Sequence, residues 1–189
     1  MNQFLLNRLK LHGITLVEVL VVVAIISILA AIAAPSFIGQ LQQQRVEGAA
    51  EGLVAAMQNA KAEAIKRNTT VSIIFAPTIK DTYYTTWCYG MTPIGAVTCI
   101  CTNDTDTTND CAPGSVVQSS DFTGITVNFN NSNARVFSPL RGTVTSGTIK
   151  FSAGNNKSLG VITSSLGRIR ICKDTTSTIG SYNDSGSCS

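Results

Sequence analysis

The chain has 189 residues, enough for one compact domain with an additional element but short for two domains. Apolar residues make up 44% and charged residues only 13%, with a formal net charge of +3. The only histidine, His12, lies ahead of the longest apolar run. A chain cut after this point has no imidazole base, which excludes Ser–His and Cys–His nucleophile pairs. We therefore expect a protein that is not an enzyme and holds no cofactor.

An almost unbroken apolar run, residues 14–34, dominates the N-terminal region. As a helix it is long enough to cross a bilayer core of about 30 Å. Arg8 and Lys10 precede it, so the positive-inside rule predicts a cytoplasmic N-terminus, with the chain after Pro35 beyond the inner membrane. The run is too long for a usual secretory signal peptide, and no small-x-small cleavage site follows it. A plain membrane anchor is the other alternative, but it gives the carboxylate inside the run no purpose.

Glu18 is the charged residue inside this run. An unpaired charge in lipid costs roughly 2.5–3.5 kcal/mol, so the carboxylate needs a partner. A cut between Gly13 and Ile14 creates an α-amine one helical turn away, because residues i and i+4 share a helix face. We therefore predict cleavage after Gly13. Glu18 then pairs with the amine of Ile14, in the same chain or in a neighbour, and serves as an assembly device.

The stretch "GITLVE", residues 13–18, resembles the class III signal of type IV prepilins and type II secretion pseudopilins, with Ile14 in place of the commoner Phe. The resemblance implies that a prepilin peptidase removes residues 1–13 as a leader and that the amine of Ile14 is methylated. It also implies that the helix over 14–34 packs into a filament core among other pilin subunits, after a stage in the inner membrane.

Residues 35–67 continue as an amphipathic helix, and "KRN" predicts its end, with Asn68 in a left-handed cap. One helix is thus predicted over 14–67. Its first half lies in the membrane or the filament, and its second half packs against a globular head. The apolar stripe that predicts this packing recurs at steps of three and four residues: Val46, Ala50, Leu53, Met57, Ala60 and Ala64.

Residues 68–189 form the predicted head, rich in Thr, Ser, Val, Ile, Gly and Asn. Short β-like runs are separated by Gly, Asn and Pro, which is typical of antiparallel hairpins. The sequence therefore predicts an α+β protein in which a long N-terminal helix packs on an antiparallel β-sheet head. The seven runs are "TVSIIFA", "YYTTWCY", "GITVNFN", "ARVFS", "GTIKFS", "LGVITS" and "RIRIC".

Six cysteines lie after the apolar run, on the predicted oxidising side of the membrane. An even number there favours disulfides; zinc is the rival interpretation, but the spacing has no paired C-x-x-C units. We expect Cys172 and Cys188 to staple the Gly/Ser-rich tail, which stabilises the head by roughly 3 kcal/mol in the chain-entropy model. The other four are expected to pair among themselves, with the connectivity left open: Cys88, Cys99, Cys101 and Cys111.

Charge is divided unevenly along the head. Residues 81–134 hold five aspartates and no Lys or Arg, whereas residues 135–189 hold seven Lys or Arg against two aspartates. One end of the head is therefore expected to be electropositive, as a polyanionic partner requires. In the acidic part, Asp104, Asp106 and Asp110 suggest calcium, but the Gly and terminal Glu of an EF-hand loop are absent. A solvated acidic loop is the favoured interpretation, and no metal is predicted.

The stretch "SSLGRIRICK" lies in the basic part. On a strand, Arg168 and Arg170 project to one face, while the isoleucines between and after them turn to the core. Gly167 and the serines before it predict a turn that holds the arginines at an accessible edge. Two guanidiniums suit phosphate oxygens and not base reading, which indicates sequence-nonspecific contact with nucleic acid. A solvated strand face or a salt bridge between subunits is the alternative. Weaker candidates for the same surface are Arg141, Lys150, Lys157 and Lys173.

The helix and the β head with "FSPLRGT" and "GRIR" together resemble the FimT/GspH family of minor pilins and pseudopilins. In FimT-type members, Gly-Arg-x-Arg is linked to DNA binding during natural transformation, and here it falls on Gly167, Arg168 and Arg170. The resemblance implies a minor type IV pilin that binds extracellular DNA non-specifically and assists its uptake. Two alternatives stay open: a structural minor pilin that primes pilus assembly, and a minor pseudopilin of type II secretion.

Overall fold

In the computed structural model, one long helix precedes the strands. The structure describes residues 13–77, 86–92, 111, 115–130, 132–154, 156–180, 182 and 188, without the side chains of 33–36 and 77. Helix α1 spans Leu16–Arg67, and a short 3₁₀ helix spans Ser119–Phe122. The strands are β1 Val71–Pro77, β2 Trp87–Thr92, β3 Val117–Gln118, β4 Thr126–Asn130, β5 Ala134–Phe137, β6 Gly147–Ala153, β7 Lys157–Thr163 and β8 Ile169–Lys173.

The chain falls into two compact units, divided between Ile38 and Gly39. In the first unit, the described side chains of α1 are exposed and almost all apolar. No single helix in the described ranges is long and apolar enough to span a membrane by itself. Two helical segments joined by a bend, Leu16–Ile32 and Phe37–Arg67, meet that requirement together, by length and composition.

The second half of α1 packs on the head through the predicted apolar stripe. Every residue of that stripe is buried, and Ala49 joins it. The helix ends as predicted, with Asn68 in the left-handed region at φ 50°. Asn68 N–H donates to the Ile65 carbonyl over 3.3 Å, and Thr69 N–H donates to the Ala64 carbonyl over 3.1 Å. These two bonds form a Schellman motif, which satisfies carbonyls that the helix itself leaves without a donor.

Two four-stranded antiparallel sheets follow the helix. The first has the strand order β3-β2-β1-β5 and the second the order β4-β6-β7-β8. In the second sheet, β6 pairs with β7 from Gly147 to Ala153, and β7 pairs with β8 from Leu159 to Thr163. Each of the seven predicted runs overlaps a strand, and the two-residue strand β3 was not predicted. The predicted α+β class is confirmed.

The inner faces of both sheets and the helix stripe share one hydrophobic core. Trp87 is buried at its centre, and its Nε1–H donates to the Ile125 carbonyl over 2.9 Å. The rings of Trp87 and Phe151 meet edge to face with centroids 5.5 Å apart. Burial raises the pKa of Tyr89 far above its ordinary value, and the negative charge of Asp121 adds to the shift. This core fixes the second sheet, and therefore its edge strand β8, against α1.

The structure contains the predicted disulfide between Cys172 and Cys188. Both sulfurs lie against Gly160 of β7, where a Cβ would come within 2.7 Å of each. Cys88 and Cys111 are also disulfide-bonded and lie in one small buried cluster, and none of the described cysteines is free. Cys99 and Cys101 lie outside the described residues, so the pairing among these four stays a prediction.

Candidate functional site

A tight turn over residues 164–168 joins β7 to β8. The Gly167 N–H donates to the Ser164 carbonyl over 2.8 Å, and the Ser164 N–H donates to the Arg168 carbonyl over 3.0 Å. The Ser164 hydroxyl also accepts the Arg168 N–H over 3.3 Å. Gly167 adopts φ 80°, the left-handed conformation that closes three-residue hairpin loops with a bulge. Serine and glycine therefore fix where the arginine-bearing strand begins.

Strand β8 and the residue before it carry the two arginines at an edge of the second sheet. It pairs with β7 on one side and is the last strand in the order of its sheet. Arg168 and Arg170 are exposed, whereas the two isoleucines of the strand pack against the core. The Arg168 side chain makes no hydrogen bond or ion pair with any residue that the structure describes. The strand thus alternates as predicted, with cationic groups facing solvent on the side away from the core.

The loop that follows β5, residues 138–142 ("SPLRG"), packs against this turn. It is closed by the Ser138 N–H, which donates to the Thr143 carbonyl over 2.9 Å. A Cβ at Gly167 would lie 2.0 Å from the Gly142 carbonyl oxygen, so the two backbones touch and the turn requires glycine there. Arg141 precedes Gly142 and is exposed beside the turn. We call residues 138–142 and 164–170 together the basic corner.

Lys61 of α1 ties both loops of the basic corner to the helix. Its Nζ donates to the Gly167 carbonyl over 3.0 Å. Its Cε lies only 2.8 Å from the position that a Cβ at Gly142 would occupy. Lys61 directly follows Ala60, which is fully buried in the core. The sequence gives no sign of this role, because the contact joins residues 106 positions apart.

The other candidate cations occupy different surroundings. Lys150 forms an ion pair over 3.1 Å with the aspartate that follows β8. Lys157 donates from Nζ to a glutamine side chain of α1 over 3.2 Å. Lys173 is half-buried and lies on the face of β8 opposite to Arg170, because side chains alternate along a strand. Of the four weaker candidates, only Arg141 lies in the basic corner.

Arg135, counted above among the basic residues of the head, is fully buried. Its Nη1 donates to the carbonyls of Ser132 and Ala134, each over 2.9 Å. No carboxylate among the described residues pairs with it, and burial lowers the pKa of its guanidinium. Arg135 therefore adds no charge to the surface of the head, in contrast to the exposed arginines of the basic corner.

At the N-terminal end of α1, Thr15 caps the helix. The Glu18 N–H donates to Thr15 Oγ1 over 3.2 Å, and the Val19 N–H donates to the Thr15 carbonyl over 3.3 Å. This is the geometry of an N-cap residue with a carboxylate three positions later. Glu18 itself is exposed in the first turn, where a negative charge faces the positive end of the helix dipole.

No cluster of three or more His, Cys, Asp or Glu side chains that would hold a metal ion occurs in the described ranges. The aspartates of the acidic insertion lie outside those ranges.

Comparisons with known proteins find matches both for the N-terminal region, which contains the stretch "GITLVE", and for the second half of α1 with most of the head. The family model described as "Type II transport protein GspH" matches residues 49–167, and the prokaryotic N-terminal methylation motif matches residues 8–34. No curated protein matches the sequence. Two crystal structures of the type IV minor pilin FimU of Pseudomonas aeruginosa (strain PAO1) are similar. One is 20% identical, with a TM-score of 0.49 over 68% of this chain and 88% of that chain. The other is 23% identical, with a TM-score of 0.46 over 66% and 90%. The chain belongs to the GspH family of type IV minor pilins and pseudopilins.

Proposed function

We propose that this chain is a minor type IV pilin that binds extracellular DNA without sequence preference and assists its uptake in natural transformation. In this proposal a prepilin peptidase removes residues 1–13, and the amine of Ile14 is methylated. The helix over 14–34 first anchors the protein in the inner membrane, with the head in the periplasm, and then packs among other pilins. Glu18 pairs with the amine of Ile14 or of a neighbouring subunit.

The observation that carries the DNA proposal is the basic corner. Arg168 and Arg170 stand at a sheet edge, and Arg141 joins them from a second loop. Guanidinium groups fork onto phosphate oxygens, so the three together suit a phosphate backbone. Arg141 and Arg168 have no side-chain partner in the part of the chain that the structure describes, so binding breaks no ion pair of theirs.

The shape of the corner supports binding without sequence preference. Base reading in the major groove uses a helix or a two-stranded ribbon laid into the groove. The basic corner instead offers two loop tips held by Lys61 at the back. Loop tips with arginines contact phosphates, which position a protein on DNA but carry no sequence information.

Salt-dependent binding of duplex DNA tests the proposal. The full chain in non-ionic detergent micelles is expected to bind duplexes of different sequence with similar affinity. Each phosphate contact contributes about −0.9 to the slope of log K against log salt. Replacing Arg168→Gln together with Arg170→Gln is expected to make the slope shallower by roughly 2 and to lower affinity at low salt.

The matched control removes the same charge elsewhere. Lys150→Gln with Lys157→Gln also deletes two cations, but both lysines are engaged away from the basic corner. This variant is expected to change the slope much less than the arginine variant. If both variants change affinity and slope equally, general charge and not the corner binds DNA. If the unmodified chain does not bind DNA, the proposed function is wrong.

A minor pseudopilin of type II secretion is the second candidate, and the extent of the family match favours it. The match to the model described as a type II transport protein ends at Gly167, just before the two exposed arginines. The matched part of the chain therefore contains Arg141 of the basic corner but neither Arg168 nor Arg170. Deletion of the gene separates the two: loss of transformation supports the pilin, and loss of protein secretion supports the pseudopilin. If the chain is instead a structural pilin that primes assembly, deletion of the gene is expected to abolish pili, and the purified chain is expected not to bind DNA.

A further inference from the structure

Two leucines at the tips of the basic corner are almost completely exposed. Leu140 is 86% exposed and Leu166 is 85% exposed, more than any other large apolar side chain of the described residues. Leu140 lies in the loop 138–142, and Leu166 lies in the turn 164–168. The backbones of these loops touch at Gly142 and Gly167, so the leucines stand on two loops that are in contact.

Nothing in the local backbone requires leucine at these positions. The turn is built by the Ser164 and Gly167 bonds, and position 166 is free to be polar, as Ser165 beside it already is. Single exposed apolar residues are common on protein surfaces and need no explanation. A pair on two contacting loops, each within two residues of an exposed arginine, is a different case, since apolar groups next to cationic groups match a specific kind of partner.

The partner that this arrangement matches is anionic on its outside and apolar within. Arg141 follows Leu140 directly, and Arg168 follows Leu166 by two residues. We infer that the two leucines enter the minor groove of duplex DNA and press against the bases, while the arginines hold the flanking phosphates. This inference rests on the proposed function and specifies how the same site engages its ligand.

Both features of this contact, the inserted leucines and the weak sequence preference, are known from other proteins that bind the minor groove. Minor-groove proteins insert aliphatic side chains, leucine among them, between base steps and partly unstack them. The minor groove distinguishes base pairs poorly, which agrees with binding that has no strong sequence preference. Single-stranded DNA is the weaker match, since single-strand sites stack bases on aromatic rings, and residues 138–142 and 164–170 contain none.

An anionic lipid surface shares the chemistry of charge outside and apolar groups within. Two leucines give only a small apolar area for a bilayer, whereas minor-groove proteins insert single aliphatic side chains between base steps. DNA is therefore the favoured partner, and the test below includes anionic vesicles as a separate outcome.

The test replaces both leucines in the full chain in detergent micelles: Leu140→Ser with Leu166→Ser. Both side chains are exposed, so folding is expected to be unchanged. Affinity for a short duplex is expected to fall about tenfold at every salt concentration, with the salt slope unchanged, because the lost contact is apolar and central. A duplex with 2-aminopurine at a flexible TA step is expected to brighten when the unmodified chain unstacks the base and to stay dim with the variant.

Val136→Ser is the matched control, because Val136 is also an exposed apolar residue but lies on β5 outside the corner. It is expected to leave both affinity and fluorescence unchanged.

If the leucine variant binds duplex DNA as tightly as the unmodified chain and brightens the probe equally, the inference is wrong while the proposed function stands. Lost incorporation into pili with DNA binding intact assigns the leucines to a subunit contact. Lost binding to anionic phosphatidylglycerol vesicles with DNA binding intact assigns them to lipid. Each of these outcomes overturns the inference that the leucines enter the minor groove. If the unmodified chain binds no DNA, the proposed function itself fails.

Discussion

The contact between the two loops of the basic corner makes Gly167→Ala a demanding substitution. Gly167 has φ 80°, where an L-residue costs roughly 1–2 kcal/mol relative to glycine. The added Cβ would also lie 2.0 Å from the Gly142 carbonyl oxygen, so one of the loops has to shift. Forced backbone shifts of this kind cost roughly 1–3 kcal/mol. The free energy of unfolding of the head is therefore expected to fall by about 2–5 kcal/mol.

A second glycine isolates the contribution of the contact. Gly124 has the same φ of 80°, but a Cβ there would meet nothing within 4 Å. Gly124→Ala is therefore expected to cost only the conformational part, roughly 1–2 kcal/mol. Denaturant unfolding followed by the fluorescence of Trp87, the single tryptophan of the chain and a core residue, measures both variants. Equal losses in the two variants would refute the close contact of turn and loop at Gly142.

Three further predictions concern the N-terminal end of the chain and the tail. The mature protein is expected to begin at Ile14; an intact mass that still includes residues 1–13 contradicts the leader assignment. Glu18→Val is expected to insert into the membrane normally but to be missing from sheared pili, because the amine of Ile14 loses its partner; normal incorporation gives the carboxylate another role. Burial, then the hydrogen bond to Glu51 and the charge of that carboxylate, raise the pKa of Tyr182 to about 12. The stabilisation that follows is fully present below pH 10, the ordinary pKa, and is lost as the pH rises through about 12. Titration of tyrosinate absorbance, as the difference between the unmodified chain and Tyr182→Phe, measures this pKa, and a value near 10 contradicts the contact.

Helices and strands could be predicted where the apolar residues of the sequence recur with the period of the element that buries them. The stripe of α1 was readable because residues three and four apart face the same core, and each of its members is buried. The end of the helix was readable from Asn68, whose short polar side chain tolerates the left-handed conformation. Strand β8 was readable from the alternation of isoleucine with arginine. Strand β3 has two residues, too few for any alternation to appear.

Membership of the site could be predicted only in part, because charge along a sequence does not specify burial or neighbours. Arg135 contributes to the same basic region as Arg168, yet it lies in the core. Lys150 and Lys157 lie in β6 and β7, close to Arg168 in sequence, yet each is engaged by another group. The arginines of "GRIR" were found because the strand period assigns them to the outer face. Arg141 was found as a weaker candidate, and its place beside the turn depends on a loop contact that no periodicity encodes.

Lys61 shows most clearly what a linear pattern omits. By helix period it lies at the margin of the apolar stripe, four residues after Met57 and three before Ala64, but the period does not show what its ammonium group contacts. Its neighbour Ala60 is fully buried, so the lysine leaves the helix at the margin of the core and reaches the Gly167 carbonyl. A turn and a loop from different parts of the sequence are thereby fixed to one rigid element. The exposed arginines and leucines therefore lie on backbone that is held in place by the core. A partner that binds them pays little ordering entropy, because the two loops are already in contact.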